Sequence, residues 1–456
     1  MLKSLGLINF KSWSEIRSLS LPGLTGIFGT NSSGKSSIIQ SLLLLKQTVA
    51  SPDRSMPLNF GEARDYVELG SFKDIVYEHK DETNILEFCL KWSISEPLVI
   101  EDPDLHNEII CESTECSFQV KLQRGKDGGC SVVSFTYKIG EMKVTLEQKS
   151  KPGEYDLSTT GGLNNFKFVR TQGRVWKLPR PFKFHGFPDQ AVTYFQNSGF
   201  LPDLQRLLEA QLSQIHYLGP LREYPQRKYN WSGNEPSDMG RRGENVVAAI
   251  LSKGKERYIS LGKNKKRQTL QERIAYWLKE LGLIHSFSVT SIAAGTNLYE
   301  VKVKKNPRSA EVVITDVGFG VSQILPVIAL CYYVDEGSTI LLEQPEIHLH
   351  PAVQMGLADV FIDAIKTRKI QLVIESHSEH LLSRLQRRMA EEKIKSDDIS
   401  INFCSSGEVG SKIEHLQIDN DGNISNWPKD FFGDRFGEVA LQRKAALVKK
   451  IQAETK

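Results

Sequence analysis

Gly29-Thr30-Asn31-Ser32-Ser33-Gly34-Lys35-Ser36 is the stretch that decides the fold. Before it, Leu24-Thr25-Gly26-Ile27-Phe28 reads as an apolar strand entering a glycine turn. After it, from Ser36 to Gln47, Ile38, Ile39, Leu42, Leu43 and Leu45 recur at helical spacing with no Gly or Pro. Strand, glycine loop and helix in this order make a phosphate loop of the form G-x-x-x-x-G-K-S. The glycines let the backbone curve so that successive N–H groups point at phosphate oxygens, and the helix start adds partial positive charge. Lys35 is expected to reach the β and γ phosphates and Ser36 to ligate Mg2+, with Gly29, Asn31, Ser33, Gly34 and Ser37 completing the nucleotide contacts. ATP and Mg2+ are the expected cofactors.

Working outward, the 456 residues leave room for about three structural units. Hydrophobic residues make up 40% and charged residues 25%, and 58 Lys plus Arg against 55 Asp plus Glu give a net charge of +3, which disfavours disordered, collagenous and coiled-coil classes. The apolar stretches Leu42 to Leu45 and Gln323 to Val334 fall short of the roughly 20 residues a bilayer requires, so no membrane association is expected. Met1 to Trp13 interleaves Lys3, Asn9 and Lys11 with single apolar residues, unlike a secretory signal, and a cytoplasmic location is expected. The six cysteines show no C-x-x-C and read as free thiols. Charge is segregated: Lys253 to Arg308 carries 13 basic and 4 acidic residues, while Glu96 to Glu115 carries 7 acidic residues and no Lys or Arg. Each run is either a partner surface or plain solvated surface.

The character of the chain changes twice. Residues 1–80 hold the phosphate loop. Residues 81–310 read as one long insertion of short β-like runs and two helices, Leu201 to Ser213 and Leu270 to Leu281, the second with the capping-box pair Thr269 and Glu272. Residues 311–398 read as α/β, with apolar runs Val312 to Ile314, Thr339 to Leu342 and Ile370 to Ile374 suited to parallel strands. Helices follow each run, with Pro351 at the first position of one and Ser378 capping another. Residues 399–456 read as a small β extension with a terminal helix.

A phosphate loop needs an acidic residue at the tip of a neighbouring strand, and Ile340-Leu341-Leu342-Glu343 supplies Glu343 as the expected Mg2+-side carboxylate. The following Gln344-Pro345-Glu346-Ile347-His348-Leu349-His350-Pro351 resembles the segment after the second Walker motif in ABC-type ATPases of the SMC, RecF and OLD kinds. Three further segments match in family order. Asn9-Phe10-Lys11-Ser12 resembles the opening strand of SMC-like heads, Val317-Gly318-Phe319-Gly320-Val321-Ser322-Gln323 the degenerate signature motif, and Glu375-Ser376-His377-Ser378 the switch-histidine loop. Tyr217-Leu218-Gly219-Pro220-Leu221-Arg222 and Trp427-Pro428-Lys429-Asp430-Phe431-Phe432 resemble a less characterised bacterial branch of these ATPases, one similar to the ATPase subunits of anti-phage systems such as Septu and PARIS. The fold class implied is an α/β ABC-type P-loop ATPase head with a long mixed α+β insertion and a small C-terminal extension. The resemblance implies a homodimer, or a higher even-numbered oligomer, in which Gly318, Gly320 and Ser322 of one subunit close over nucleotide held by the other. It also implies a catalytic part for His377.

One departure falls at the point of chemistry. Where these ATPases place a water-activating glutamate, this chain has Gln344, which has no basic oxygen of useful pKa. Gln344 can still orient water and Glu346 is the substitute carboxylate, so slow turnover is expected. No coupling glutamine stands out between Met56 and Tyr77. His348 and His350, at i, i+2 and without Cys partners, read as packing or dimer contacts rather than zinc ligands. Asp419-Asn420-Asp421-Gly422 reads as a hairpin turn rather than a nuclease D-x-D.

Two functions fit. The first is an ATP-gated switch whose state is passed to a partner effector, a nuclease or toxin, in bacterial anti-phage defence. The second is a DNA-binding repair or maintenance ATPase resembling RecF or SMC, for which the Lys263 to Arg267 cluster offers phosphate contacts but few interleaved aromatics. A built-in OLD-type nuclease is disfavoured because 79 residues follow His377, and an SMC tether because no heptad arms occur.

Overall fold

The structure is a computed structural model, and it describes residues 1–101, 109–125, 128–151, 153–162, 166–173, 177–262 and 266–428. The apolar run around Ile27 forms the strand Leu24–Gly29, third in a six-stranded sheet. The order across that sheet is Gly410–His415, Ile399–Gly407, Leu24–Gly29, Gln371–Glu375, Thr339–Glu343 and Ile215–Leu218. All neighbours are parallel except the outermost pair, Ile399–Gly407 with Gly410–His415.

Strands buried on both faces need apolar residues at consecutive positions, and the core shows why. Ile27, Leu341, Val373 and Cys404 enter one hydrophobic cluster, while Phe28, Ile340, Leu342, Leu372, Ile374, Ile401 and Phe403 enter the other. On the first face the helix Lys35–Ala50 packs beside Leu201–Ser213. On the second lie Phe319–Tyr333, Pro351–Arg368 and Glu379–Ala390. The expected caps form. Ser378 Oγ accepts from the Leu381 N–H at 3.1 Å, and Thr269 and Glu272 exchange both capping-box bonds ahead of Leu270–Glu280.

A second, antiparallel sheet of seven strands runs Trp13–Ser20, Leu2–Phe10, Leu86–Glu101, Ile109–Arg124, Cys130–Ile139, Met142–Gln148 and Tyr155–Thr160. Its buried alternate residues, such as Phe88, Leu90, Phe118, Val120 and Phe135, share the cluster of the helix Lys35–Ala50. A third, small sheet pairs Leu298–Lys304 with Ser286–Ser291, Tyr229–Asn230 and Val312–Val313.

Three sequence expectations change. Residues 81–310 are not one insertion, because Leu86–Glu101 pairs with Leu2–Phe10 and Ile215–Leu218 is a strand of the six-stranded sheet. The boundary at 398/399 falls inside the sheet, since Ile399–Gly407 pairs in parallel with Leu24–Gly29 from Ile399↔Leu24 to Cys404↔Gly29. Val312–Val313 is a two-residue antiparallel strand of the small sheet, cut short by a 3-10 turn at Ile314–Asp316, rather than a parallel strand. The turn at Asp419 is as expected, with Gly422 at φ 79° between the bridged Ile418 and Ile424. The terminal helix, Lys263 to Lys265 of the basic cluster and Lys429 onward of the Trp427 motif lie outside the described residues.

Candidate nucleotide site

The loop's two glycines are required by space as well as by conformation. At Gly29, with φ 143°, a Cβ would lie 2.0 Å from the Cys404 carbonyl oxygen. At Gly34, with φ 86°, it would lie 2.5 Å from Ser12 Oγ and 2.9 Å from Trp13 Nε1. The loop is thus clamped between the turn after Leu2–Phe10 and the strand Ile399–Gly407. Trp13 Nε1 donates to the Gly34 carbonyl at 3.0 Å, and the Ser411 N–H donates to the Ser12 carbonyl at 2.8 Å.

Within this cradle Lys35 is 4% exposed and its ammonium donates to the carbonyls of Thr30 at 2.6 Å and Gly29 at 3.2 Å. Burial lowers its pKa, while Glu375 pulls it back up. Ser33 Oγ donates to the Thr30 carbonyl at 2.8 Å and holds the loop closed. Ser36 Oγ donates to Glu375 Oε1 at 3.1 Å. A cavity of about 550 Å3 opens over the loop, lined by residues 31–37 with Lys11, Ser12, Gln40, Gln344, Glu375 and His377. Gln344 stands in it at φ 44°, a left-handed conformation fixed by its N–H donating to the Glu375 carbonyl at 2.8 Å. Such backbone strain in a non-glycine residue clusters at functional sites. The His377 ring has its pKa lowered by burial and then by Lys35, so at neutral pH it is uncharged and can accept a hydrogen bond.

The cavity therefore gathers Asn31, Ser33, Gly34, Lys35, Ser36, Ser37, Gln344 and His377, with Gly29 at the foot of the loop. Glu343, Glu346, Gly318, Gly320 and Ser322 are not among its lining. Glu343 sits one strand further from the loop and accepts from Tyr217 Oη at 3.1 Å. Burial, and then the charge of Glu375, push its carboxyl up to about 7. Glu346 is 6% exposed and takes the His377 N–H on Oε1 at 2.7 Å, so it ties the two loops together. Near it lies Arg222, 6% exposed, none of whose guanidinium nitrogens has a hydrogen-bond partner among the described residues. Burial lowers its pKa to about 10 against the pull of Tyr217, Glu343 and Glu346.

Gly318 caps the helix Phe319–Tyr333, and a Cβ there would meet nothing within 4 Å among the described residues. Its φ of −56° suits any residue, so neither strain nor packing against the described residues demands glycine there. Gly320 faces Leu349 and Leu283 at ordinary contact distance, and Ser322 Oγ donates back to the Phe319 carbonyl at 2.7 Å. Beside them Phe319 meets the rings of Tyr224 at 5.6 Å and His348 at 5.5 Å, and His350 Nδ1 accepts from the Ala352 N–H at 3.3 Å as a helix cap.

Sequence reasoning missed Glu375, Lys11 and Gln40 as lining residues. Lys11 Nζ donates to Gln40 Oε1 at 2.6 Å, bringing a second cation to the cavity. Both Lys11 and Glu375 lie inside segments already matched to ABC-type heads, which was the available signal.

Residues 249–383 match the family model described as "AAA domain, putative AbiEii toxin, Type IV TA system". The match takes in the strands Thr339–Glu343 and Gln371–Glu375 of the six-stranded sheet. Residues 394–442 match a second model, "Protein of unknown function (DUF3696)", which takes in the strand pair that borders the phosphate loop. Among solved structures, the SMC head bound to the C-winged helix domain of ScpA is 13% identical, with 92% of this chain and 98% of that chain covered and a TM-score of 0.43. The SMC head domain from Thermotoga maritima is 12% identical, with 91% and 99% covered and a TM-score of 0.40. An Smc head domain with an extended coiled coil from Pyrococcus furiosus, bound to the C-terminal domain of ScpA, is 12% identical, with 99% of each chain covered and a TM-score of 0.43. No curated protein matches the chain. No helix among the described residues is long and apolar enough to cross a membrane.

Proposed function

We propose that the chain is a slow ATPase that works as a nucleotide-gated dimer switch, regulating a partner effector in bacterial anti-phage defence. The observation that carries this reading is the composition of the cavity over the phosphate loop. It has the lysine, serine and backbone cradle for a nucleoside triphosphate, yet the residue that follows the strand Thr339–Glu343 into it is Gln344 rather than a glutamate.

The residues fit Mg2+ as well as nucleotide. Glu375 Oε2 is buried beside Ser36 with no hydrogen-bond partner among the described residues, and hard oxygen donors of this kind suit a hard cation. When bound, the cation neutralises phosphate charge. Lys35 exchanges its carbonyl partners for phosphate oxygens, the loop N–H groups orient the chain of phosphates, and Gln344 with neutral His377 positions water without removing its proton quickly. The sterically free Gly318 suits close approach of a second subunit's nucleotide. The toxin–antitoxin description of the family matched by residues 249–383 supports the defence role.

Sedimentation of the purified chain with ATP, ADP or no nucleotide, followed by identification of proteins that co-purify in each state, tests the reading. ATP should give dimers and change the partner retained. Failure of ATP to bind, or one unchanged species throughout, rejects the switch. Strong stimulation of turnover by DNA, with no protein partner, would favour the DNA-maintenance function instead.

A further inference from the structure

We propose that Arg222 is a positioning residue for ATP hydrolysis: its buried guanidinium braces Glu346, and through Glu346 the loop that brings His377 into the cavity. The inference rests on the nucleotide reading above and names a residue that acts on that site without lining it.

Three observations carry it. The strand Ile215–Leu218 pairs in parallel with Thr339–Glu343 at a constant offset, from Ile215↔Thr339 to Leu218↔Leu342. Carried past the strand ends, that offset sets Arg222 level with Glu346. The backbone on either side of Arg222 is held, since the Gly219 N–H donates to the Arg241 carbonyl at 2.8 Å and the Glu223 N–H to the Arg242 carbonyl at 2.9 Å. Second, Arg222 and Glu346 are each 6% exposed and have complementary unused groups. Nε, Nη1 and Nη2 of Arg222 and Oε2 of Glu346 are buried without a hydrogen-bond partner among the described residues. A guanidinium buried this way is costly unless an anionic group answers its charge. Glu343 and Glu346 are the carboxylates whose charge it feels, and Glu343 already accepts from Tyr217 Oη. Third, Glu346 Oε1 accepts the His377 N–H at 2.7 Å, so whatever fixes the Glu346 carboxylate also fixes His377, which lines the cavity. Arg222 does not line that cavity, and its loss should therefore spare nucleotide binding.

The test uses the full chain and reads single-turnover hydrolysis beside equilibrium ATP affinity. Arg222→Met should slow the hydrolytic step roughly 10- to 100-fold with ATP affinity near that of the wild type, because a water-positioning group misplaced by about 1 Å costs rate rather than binding. Arg222→Lys, which keeps the charge, should recover part of the rate. Residues that act as a unit are not additive, so Arg222→Met should slow the step much less in a Glu346→Gln background than in the wild type. The proposal is overturned if Arg222→Met hydrolyses ATP as fast as the wild type, or if its loss lies in ATP affinity instead. It also fails if Arg222→Lys is as slow as Arg222→Met, or if the losses of Arg222→Met and Glu346→Gln multiply. Should Arg222→Met not fold, judged by its thermal transition, Arg222→Gln removes the charge and keeps a donor, and an unchanged rate there overturns the proposal equally. A wild type that neither binds nor hydrolyses ATP would instead reject the nucleotide reading itself.

Discussion

Ser36 Oγ lies 3.1 Å from Glu375 Oε1, across 339 positions of sequence. This bond joins the first turn of the phosphate-loop helix to the tip of the adjacent strand, just ahead of His377. Glu375 also accepts the Gln344 N–H on its carbonyl, and two residues on, the His377 N–H is held by Glu346.

Lys35→Ala should remove the ammonium that now bridges the Thr30 and Gly29 carbonyls. Charge-assisted bonds to phosphate of about 1.5–3 kcal/mol translate to roughly 10- to 150-fold weaker ATP binding. Calorimetric titration of Mg·ATP against both folded proteins measures it, and equal affinities would end the phosphate-loop assignment.

Gln344→Glu should speed single-turnover hydrolysis, since general-base assistance is worth about 10²- to 10⁴-fold. The backbone already holds position 344 at φ 44°, and the substitution keeps the side-chain length, so the carboxylate enters the same cavity. Rapid-quench measurement beside ATP-dependent dimerisation should show a faster rate and a shorter-lived dimer. An unchanged rate in a folded, ATP-binding variant would mean that water is activated elsewhere.

Gly318→Arg should fold normally because the space around Gly318 is open. Mixed with Lys35→Ala, each inactive alone, it should restore part of the turnover through one composite site made from the two intact halves. Heterodimers that form yet never recover activity would rule out head-to-head closure.

Gly29→Ala should be strongly destabilising. The new methyl would fall 2.0 Å from the Cys404 carbonyl oxygen, so the parallel pairing of Leu24–Gly29 with Ile399–Gly407 must shift. Overpacking and backbone strain of this kind cost about 2–4 kcal/mol. Urea unfolding measures the loss, and a change below about 1 kcal/mol would show that the strand Ile399–Gly407 yields freely.

Stability without nucleotide should fall as pH rises through the titration of Glu343. Its folded carboxyl is pushed up to about 7 from an ordinary 4.5, by burial first and by Glu375 second. Because the folded value is the higher, the folded chain keeps a proton that the unfolded chain has released. The stabilisation is fully present below the unfolded value and is lost as pH rises through the folded one, up to roughly 3 kcal/mol. Glu343→Gln cannot titrate, so its urea midpoint should fall less than the wild type's between about pH 5 and about pH 7.5. Parallel profiles for the two proteins would show that Glu343 ionises normally in the fold.

The sequence by itself determined what is local. The glycine loop and its helix were legible because the positive φ of Gly29 and Gly34 and the helix start at Lys35 are set by a dozen consecutive residues. The caps at Ser378 and Thr269 were legible for the same reason, as was the turn at Gly422. Tertiary structure alone decided which carboxylate meets the loop. Glu343 and Glu375 each end a short apolar strand, and nothing along the chain says which strand lies beside Leu24–Gly29. Parallel strands are ordered by how their crossover helices pack, and that packing set Gln371–Glu375 against the loop and Thr339–Glu343 one place beyond. The same long-range pairing drew Ile399–Gly407 into the sheet and Leu86–Glu101 onto Leu2–Phe10, where composition had suggested an extension and an insertion. Local chemistry fixed the glycine loop, and contacts between residues hundreds of positions apart fixed the carboxylate beside it.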